Sequence, residues 1–185
     1  MKSQVQRWSS WRSREFVVRE AGDTGPIVLA VRGVLGAAID ISSLRRTETT
    51  VEGGGPAATV WGAGRRRFIV PSEFDSVDVF RRSVGSSSTS GFGPWKVTRL
   101  ADEEIELVAG RMSGRGPWVL RVEDSGKELR ITWNEGKHPG TLTFFGPGSG
   151  GGKEFHNDNR TRETISVTGP GYLLLDADHW TLDTS

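Results

Sequence analysis

The chain of 185 residues contains no cysteine. That excludes the disulfide framework with which small secreted domains make up for a small core, and it excludes thiolate ligation of a metal. No apolar run approaches the roughly 18 residues a membrane-crossing helix needs, so no helical span is expected. The first eight residues lack the apolar core of a secretory signal, which makes the cytoplasm the expected location. Net charge is almost absent, at +1, and this argues against nucleic acid as the partner. Helical periodicity is missing too: no stretch beyond about ten residues repeats its apolar positions every 3.6 residues.

What is present is repetition. Gly25-Pro26-Ile27 introduces the apolar run Ile27-Val28-Leu29-Ala30-Val31, and Gly116-Pro117-Trp118 introduces Trp118-Val119-Leu120-Arg121-Val122. Each half also closes on a tryptophan strand: Trp95-Lys96-Val97 after Gly93-Pro94, and Trp180-Thr181-Leu182 after Asp178-His179. Two copies of one unit are expected, each of about 90 residues and so with a modest core.

The texture of both halves is β. Phe16-Val17-Val18, Ala58-Thr59-Val60-Trp61, Phe68-Ile69-Val70 and residues 76–80 are short runs of branched and aromatic residues. Gly53-Gly54-Gly55-Pro56 predicts a turn between two of them, and the serine-rich residues 86–91 a mobile tip. In the second half, Ile105-Glu106-Leu107-Val108, residues 128–133, 141–145, 162–167, 172–176 and 179–182 read as strands. Short strands broken by Gly and Pro predict an all-β chain of two tandem β-sandwich domains, immunoglobulin-like or jelly-roll-like, related by internal duplication. The expected divisions are a basic N-terminal arm over 1–14, a first sandwich over 15–99 and a second over 100–185. In the arm, Trp8 and Trp11 lie three residues apart, which would place both indoles on one side of a short helix, or let them tuck against the first sandwich.

The run Gly116-Pro117-Trp118-Val119-Leu120, with Thr168-Gly169-Pro170-Gly171 and Trp180-Thr181-Leu182, resembles small β-sandwich repeat domains of actinobacterial proteins. These often run Gly-Pro-x-Val-Val into a strand and close on Trp-Thr-Ile. The resemblance covers most of residues 100–185 and, through Gly25-Pro26 and Gly93-Pro94-Trp95, part of the first half. It implies a sandwich and transfers no catalytic residue.

Residues 146–153, Gly-Pro-Gly-Ser-Gly-Gly-Gly-Lys, depart from a phosphate-binding loop at both deciding points. Pro147 stands where the first glycine belongs, and Glu154 follows Lys153 where a hydroxyl belongs. His156-Asn157-Asp158-Asn159 has too few carboxylates for a calcium loop, and His138 and His179 show no ligand spacing. Asp176, Asp178 and Asp183 could pair as glycosidase carboxylates, but acidic residues also solvate strand ends. No cofactor, metal or catalytic residue is expected.

Trp95, Trp118, Trp133 and Trp180 are expected in cores, leaving Trp8, Trp11 and Trp61 for a binding surface, together with Arg65, Arg66 and Arg67. Residues 1–99 carry 15 Lys and Arg against 9 Asp and Glu, and residues 100–185 carry 9 against 14. Opposite signs in the two halves favour docking or head-to-tail contact between copies. The function expected is a non-catalytic interaction or scaffolding module that binds a protein partner or itself through sheet edges, end loops and oppositely charged surfaces. The alternatives are a carbohydrate-binding module using an exposed tryptophan and, further off, a glycan hydrolase.

Overall fold

A computed structural model describes residues 6–12, 14–20, 22–34, 38–47, 49–61, 64–82, 93–123, 126–133, 140–148, 152–156 and 162–184. The chain divides into two compact units, residues 1–101 and 102–185.

Among the described residues the first unit holds eight strands: β1 Arg7–Ser10, β2 Arg14–Val18, β3 Ile27–Gly33, β4 Ile39–Arg46, β5 Val51–Val60, β6 Arg65–Val70, β7 Ser76–Arg81 and β8 Trp95–Arg99. They form two four-stranded antiparallel sheets, ordered β1-β8-β3-β6 and β2-β7-β4-β5. The described residues of the second unit also form eight: β9 Arg111–Arg115, β10 Trp118–Val122, β11 Lys127–Trp133, β12 Thr141–Phe145, β13 Lys153–His156, β14 Arg162–Val167, β15 Gly171–Asp176 and β16 His179–Thr184. Their sheets are ordered β14-β11-β16-β9 and β10-β15-β12-β13.

Counted from the start of each unit, both orders are the same. The first strand neighbours the eighth, the eighth the third, and the third the sixth; the second, seventh, fourth and fifth make the facing sheet. This is the connectivity of a jelly roll. The chain is therefore all-β, with two similarly built sandwiches.

Alternation along the strands fills each core from both sheets. In the first unit Leu29, Val31, Phe68 and Val97 meet Val17, Ile39, Ile41, Val77 and Val79. In the second, Leu129, Ile131, Ile165 and Leu182 meet Leu120, Leu142, Leu173 and Leu175.

The closing tryptophans occupy equivalent places. Trp95 pairs across to Ser10 of the first strand, and its indole donates to the carbonyl of Arg12 at 3.2 Å. Trp180 pairs across to Gly114 of its own first strand and donates to the carbonyl of Gly116 at 3.3 Å. In each case the acceptor lies two residues beyond the cross-strand partner. Both rings are buried, at 0% and 2% exposure. Gly114 makes room for the second one: a Cβ there would lie 2.4 Å from Trp180 Cζ2.

Several expectations are corrected. The Gly-Pro turns do not mark equivalent positions, because Ile27 opens the third strand of its unit and Trp118 the second of its own. The true counterpart of β3 is β11. Gly53-Gly54-Gly55-Pro56 is not a turn but lies within β5, where three residues, 54–56, stand opposite Ser43 alone. Glycine and proline suit such a bulge, and β5 is an edge strand, where a missing N–H leaves no ladder bond unmade. Residues 105–108 form no strand. A 3-10 turn at Asp102–Glu104 leads instead to a single parallel bridge between Leu107 and Arg121, with Ile105 and Val108 both buried. Two apolar anchors three apart suit a crossing segment better than an alternating strand. The arm contributes β1, and Trp8 packs against the core from that strand rather than from a helix. The serine-rich tip at 86–91 lies outside the described residues.

Gly114→Ala should destabilise the second unit by about 1–3 kcal/mol, because a buried indole cannot retreat from the new methyl. Urea unfolding followed by near-ultraviolet circular dichroism measures it, with a midpoint equal to that of the unaltered protein as the contrary result.

Candidate functional site

The strand registers of the first unit bring the ends of β1, β3, β5 and β7 and the starts of β2, β4, β6 and β8 to one end of the sandwich. Trp11 and Trp61 both sit there. Trp11 is 70% exposed and Trp61 60%, in a chain whose other described tryptophans are buried or partly covered. The Arg81 guanidinium donates to the Trp11 carbonyl at 2.6 Å. The Arg82 guanidinium lies over the Trp61 ring, 5.7 Å from its centre, and pairs with Asp40 at 3.5 Å. The Thr59 hydroxyl in turn donates to Asp40 at 2.6 Å. An exposed indole is thus held by a cation whose own position is set by a carboxylate and a hydroxyl. Such a contact contributes about 0.5–1 kcal/mol at an exposed site.

The outer face of the β2-β7-β4-β5 sheet continues this surface. Phe16, exposed, lies between two guanidinium groups, Arg46 at 4.9 Å and Arg14 at 5.3 Å. Arg14 reaches across to β7, where Nε and Nη2 grip both oxygens of Asp78 at 2.7–3.1 Å. That hydrogen bonding, with the charge of Asp78, raises the Arg14 pKa above its ordinary value. Asp78 itself is buried, so its pairing with Arg14 is what makes its place in the sheet tolerable. Val18 and Val51 are exposed on the same unit.

Of the residues named from sequence, then, the fold brings Trp11 and Trp61 to one end and turns Trp8 inward. Arg65, Arg66 and Arg67 belong to β6, in the other sheet. Arg66 lies on the inward side and donates to the Thr59 carbonyl at 3.4 Å, whereas Arg65 and Arg67 point outward. Phe68, which follows these arginines in β6, is in the core. Arg14 and Phe16 were missed, although a signal was there: they are two apart in a strand and share a face.

The second unit carries a shallow cavity of about 260 Å³ beside its edge strand β9, lined by Glu106, Arg111, Met112, Arg115, Trp118 and Trp180. Trp118, expected in the core, is 38% exposed at the start of β10, and its indole donates to Glu106 at 3.1 Å. A second cavity of about 350 Å³ lies between Phe144, Pro147, Lys153, Ser166 and Thr168. Lys153 opens strand β13 and no helix follows it, which removes the phosphate-loop reading on structural grounds. Asp176 and Asp178 are exposed and line neither cavity. Among the described residues no three His, Asp or Glu side chains come together in a way that could hold a metal ion. His138, residues 157–159 and the side chain of His156 lie outside the described set, as do residues 149–151 of the glycine loop.

No family model and no curated protein matches the chain. Among solved structures, a chain in the atomic structure of Sulfolobus Turreted Icosahedral Virus is 15% identical over all of this chain and 92% of its own, with a TM-score of 0.31. The CUB1-EGF-CUB2 domain of human MASP-1/3 is 10% identical over 94% of this chain and all of its own, with a TM-score of 0.23. At such scores neither likeness bears on function.

Replacing Trp11 and Trp61 together by phenylalanine should remove most of the acrylamide-quenchable tryptophan emission and change stability by less than about 0.5 kcal/mol. Trp95→Phe should leave the quenchable fraction intact. Equal quenching in both variants would contradict the exposure assigned to the two indoles.

Proposed function

We propose that the chain is a non-catalytic interaction module that binds a protein surface through the tryptophan-bearing end and adjoining outer sheet face of its first unit. The observation that carries this reading is the pair of exposed indoles at one end, one of them fixed by Arg82. Tryptophan and arginine are the residues that dominate binding energy at protein interfaces. An indole already held in place loses little side-chain freedom on docking.

The first half of the chain is basic overall, residues 1–99 carrying 15 Lys and Arg against 9 Asp and Glu, so the complementary partner is acidic. A second copy of the chain offers such a partner in residues 100–185, where acidic residues exceed basic ones by five, 14 against 9. Head-to-tail contact of this kind has an electrostatic part that salt screens.

Light scattering should then show association that grows with concentration at about 50 mM salt and fades by about 500 mM, beyond the range where exposed charges interact strongly. Trp61→Ala should weaken it roughly tenfold or more, as loss of a central interface residue does. A monomer at every salt concentration would remove self-association.

A carbohydrate-binding role is the second reading, favoured by the cavity in which the Trp118 ring and Glu106 stand beside Arg111 and Arg115. Rings of this kind offer a face to a sugar while the charged groups bind its hydroxyls. A glycan array on which Trp118→Ala abolishes the signal would establish it in place of the first.

A further inference from the structure

The outer face of the β1-β8-β3-β6 sheet carries a second cationic surface, on the sheet opposite Phe16. Its registers align two rows across all four strands. One row reads Arg65, Arg32, Lys96, Ser9; the next reads Arg67, Ala30, Thr98, Arg7. Five of the eight positions are basic and none is acidic. Arg7, Arg32, Arg65 and Lys96 are exposed and Arg67 is half-buried.

This arrangement works against the fold. Arg32 lies directly across from both Arg65 and Lys96, and like charges directly opposite each other destabilise a sheet. Protection of edges does not account for it, since β3 and β8 are the two central strands. Elsewhere in the unit several arginines have acidic partners, among them Arg14 with Asp78, Arg82 with Asp40, and Arg99 with Asp23 at 2.7 Å. Among the described residues no ion pair is made by Arg7, Arg32, Arg65 or Lys96.

The second unit supplies an internal control. The same eight grid positions there read Arg162, Thr132, Thr181, Ser113 and Thr164, Arg130, Asp183, Arg111. Thr132 and Thr181 stand where Arg32 and Lys96 stand in the first unit, and Asp183 separates Arg130 from Arg111. The jelly roll itself therefore does not require the basic grid.

We infer that this face binds the phosphodiester backbone of a nucleic acid. The rows contain no aromatic or large apolar side chain, so they lack the anchors of a protein interface and the platforms on which bases stack. They offer four guanidinium groups, which match phosphate oxygens two at a time, one ammonium, and the hydroxyls of Ser9 and Thr98. Strands about 4.8 Å apart spread these donors across roughly 14 Å of flat surface, suited to an extended anionic chain. Recognition is of the backbone and independent of sequence. Overall net charge conceals it, because the acidic residues that balance the total lie elsewhere.

The test is fluorescence anisotropy with a labelled oligothymidylate of about 20 nucleotides, titrated at several salt concentrations. Affinity should fall as salt rises with a log–log slope of about −2.8 to −3.5, the value for four to five phosphates neutralised on a single strand. The double variant R32T/K96T, which installs the second unit's residues, should lose about 1.4 from the slope and bind at least tenfold more weakly at low salt. Its urea midpoint should be equal or higher, since opposed like charges are removed. Trp11→Phe/Trp61→Phe should bind the oligonucleotide as the unaltered protein does, which separates this face from the protein-binding surface. Absence of binding at about 50 mM salt, or equal affinity of R32T/K96T, would overturn the inference. So would competition by polyglutamate as effective as by the oligonucleotide, which would assign the face to an acidic protein instead.

Discussion

Each sandwich is closed by its last strand, and one indole does the closing. Trp95 and Trp180 lie in the centre of their cores, beside the first and third strands, and hydrogen-bond to the backbone just past the end of the first strand. Without that bond the first strand, four or five residues long and at the edge of its sheet, would have little beyond one ladder to hold it. Everything placed by the loops at that end follows from it. In the first unit these include Trp11, directly before the accepting Arg12 carbonyl. A residue that serves the core thus also fixes where an exposed residue stands.

The tryptophans were readable from sequence because a matched pair at the end of each half is what duplication leaves when a core position is retained. The long alternating strands β11, β14 and β15 were readable for the same reason: one buried face imposes a period of two. Strands β1, β9 and β13 were not. Arg7–Ser10, Arg111–Arg115 and Lys153–His156 are short edge strands with few apolar residues, held by pairing with a neighbour rather than by their own pattern. Gly-Pro failed as a marker because it records only that a strand begins, not which strand.

The surface was legible residue by residue but not as a surface. Arg65-Arg66-Arg67 looks like one cluster in the chain, yet strand geometry sends the middle guanidinium to the opposite side from its neighbours. Conversely Arg7, Arg32 and Lys96, scattered along the sequence, become neighbours only through cross-strand register. Phe16 and Trp61 show the same thing at the aromatic surface. Each is unremarkable alone and acquires meaning from arginines contributed by other strands.

The bulge at residues 54–56 has an effect that reaches outside the molecule. Sheets elongate when a foreign strand zips along a bare rim, and such zipping demands evenly spaced donors. Pro56 withholds one donor, and the extra residues throw the remainder out of step. Fibril-like stacking through this rim is therefore blocked at its midpoint, whatever else the protein meets.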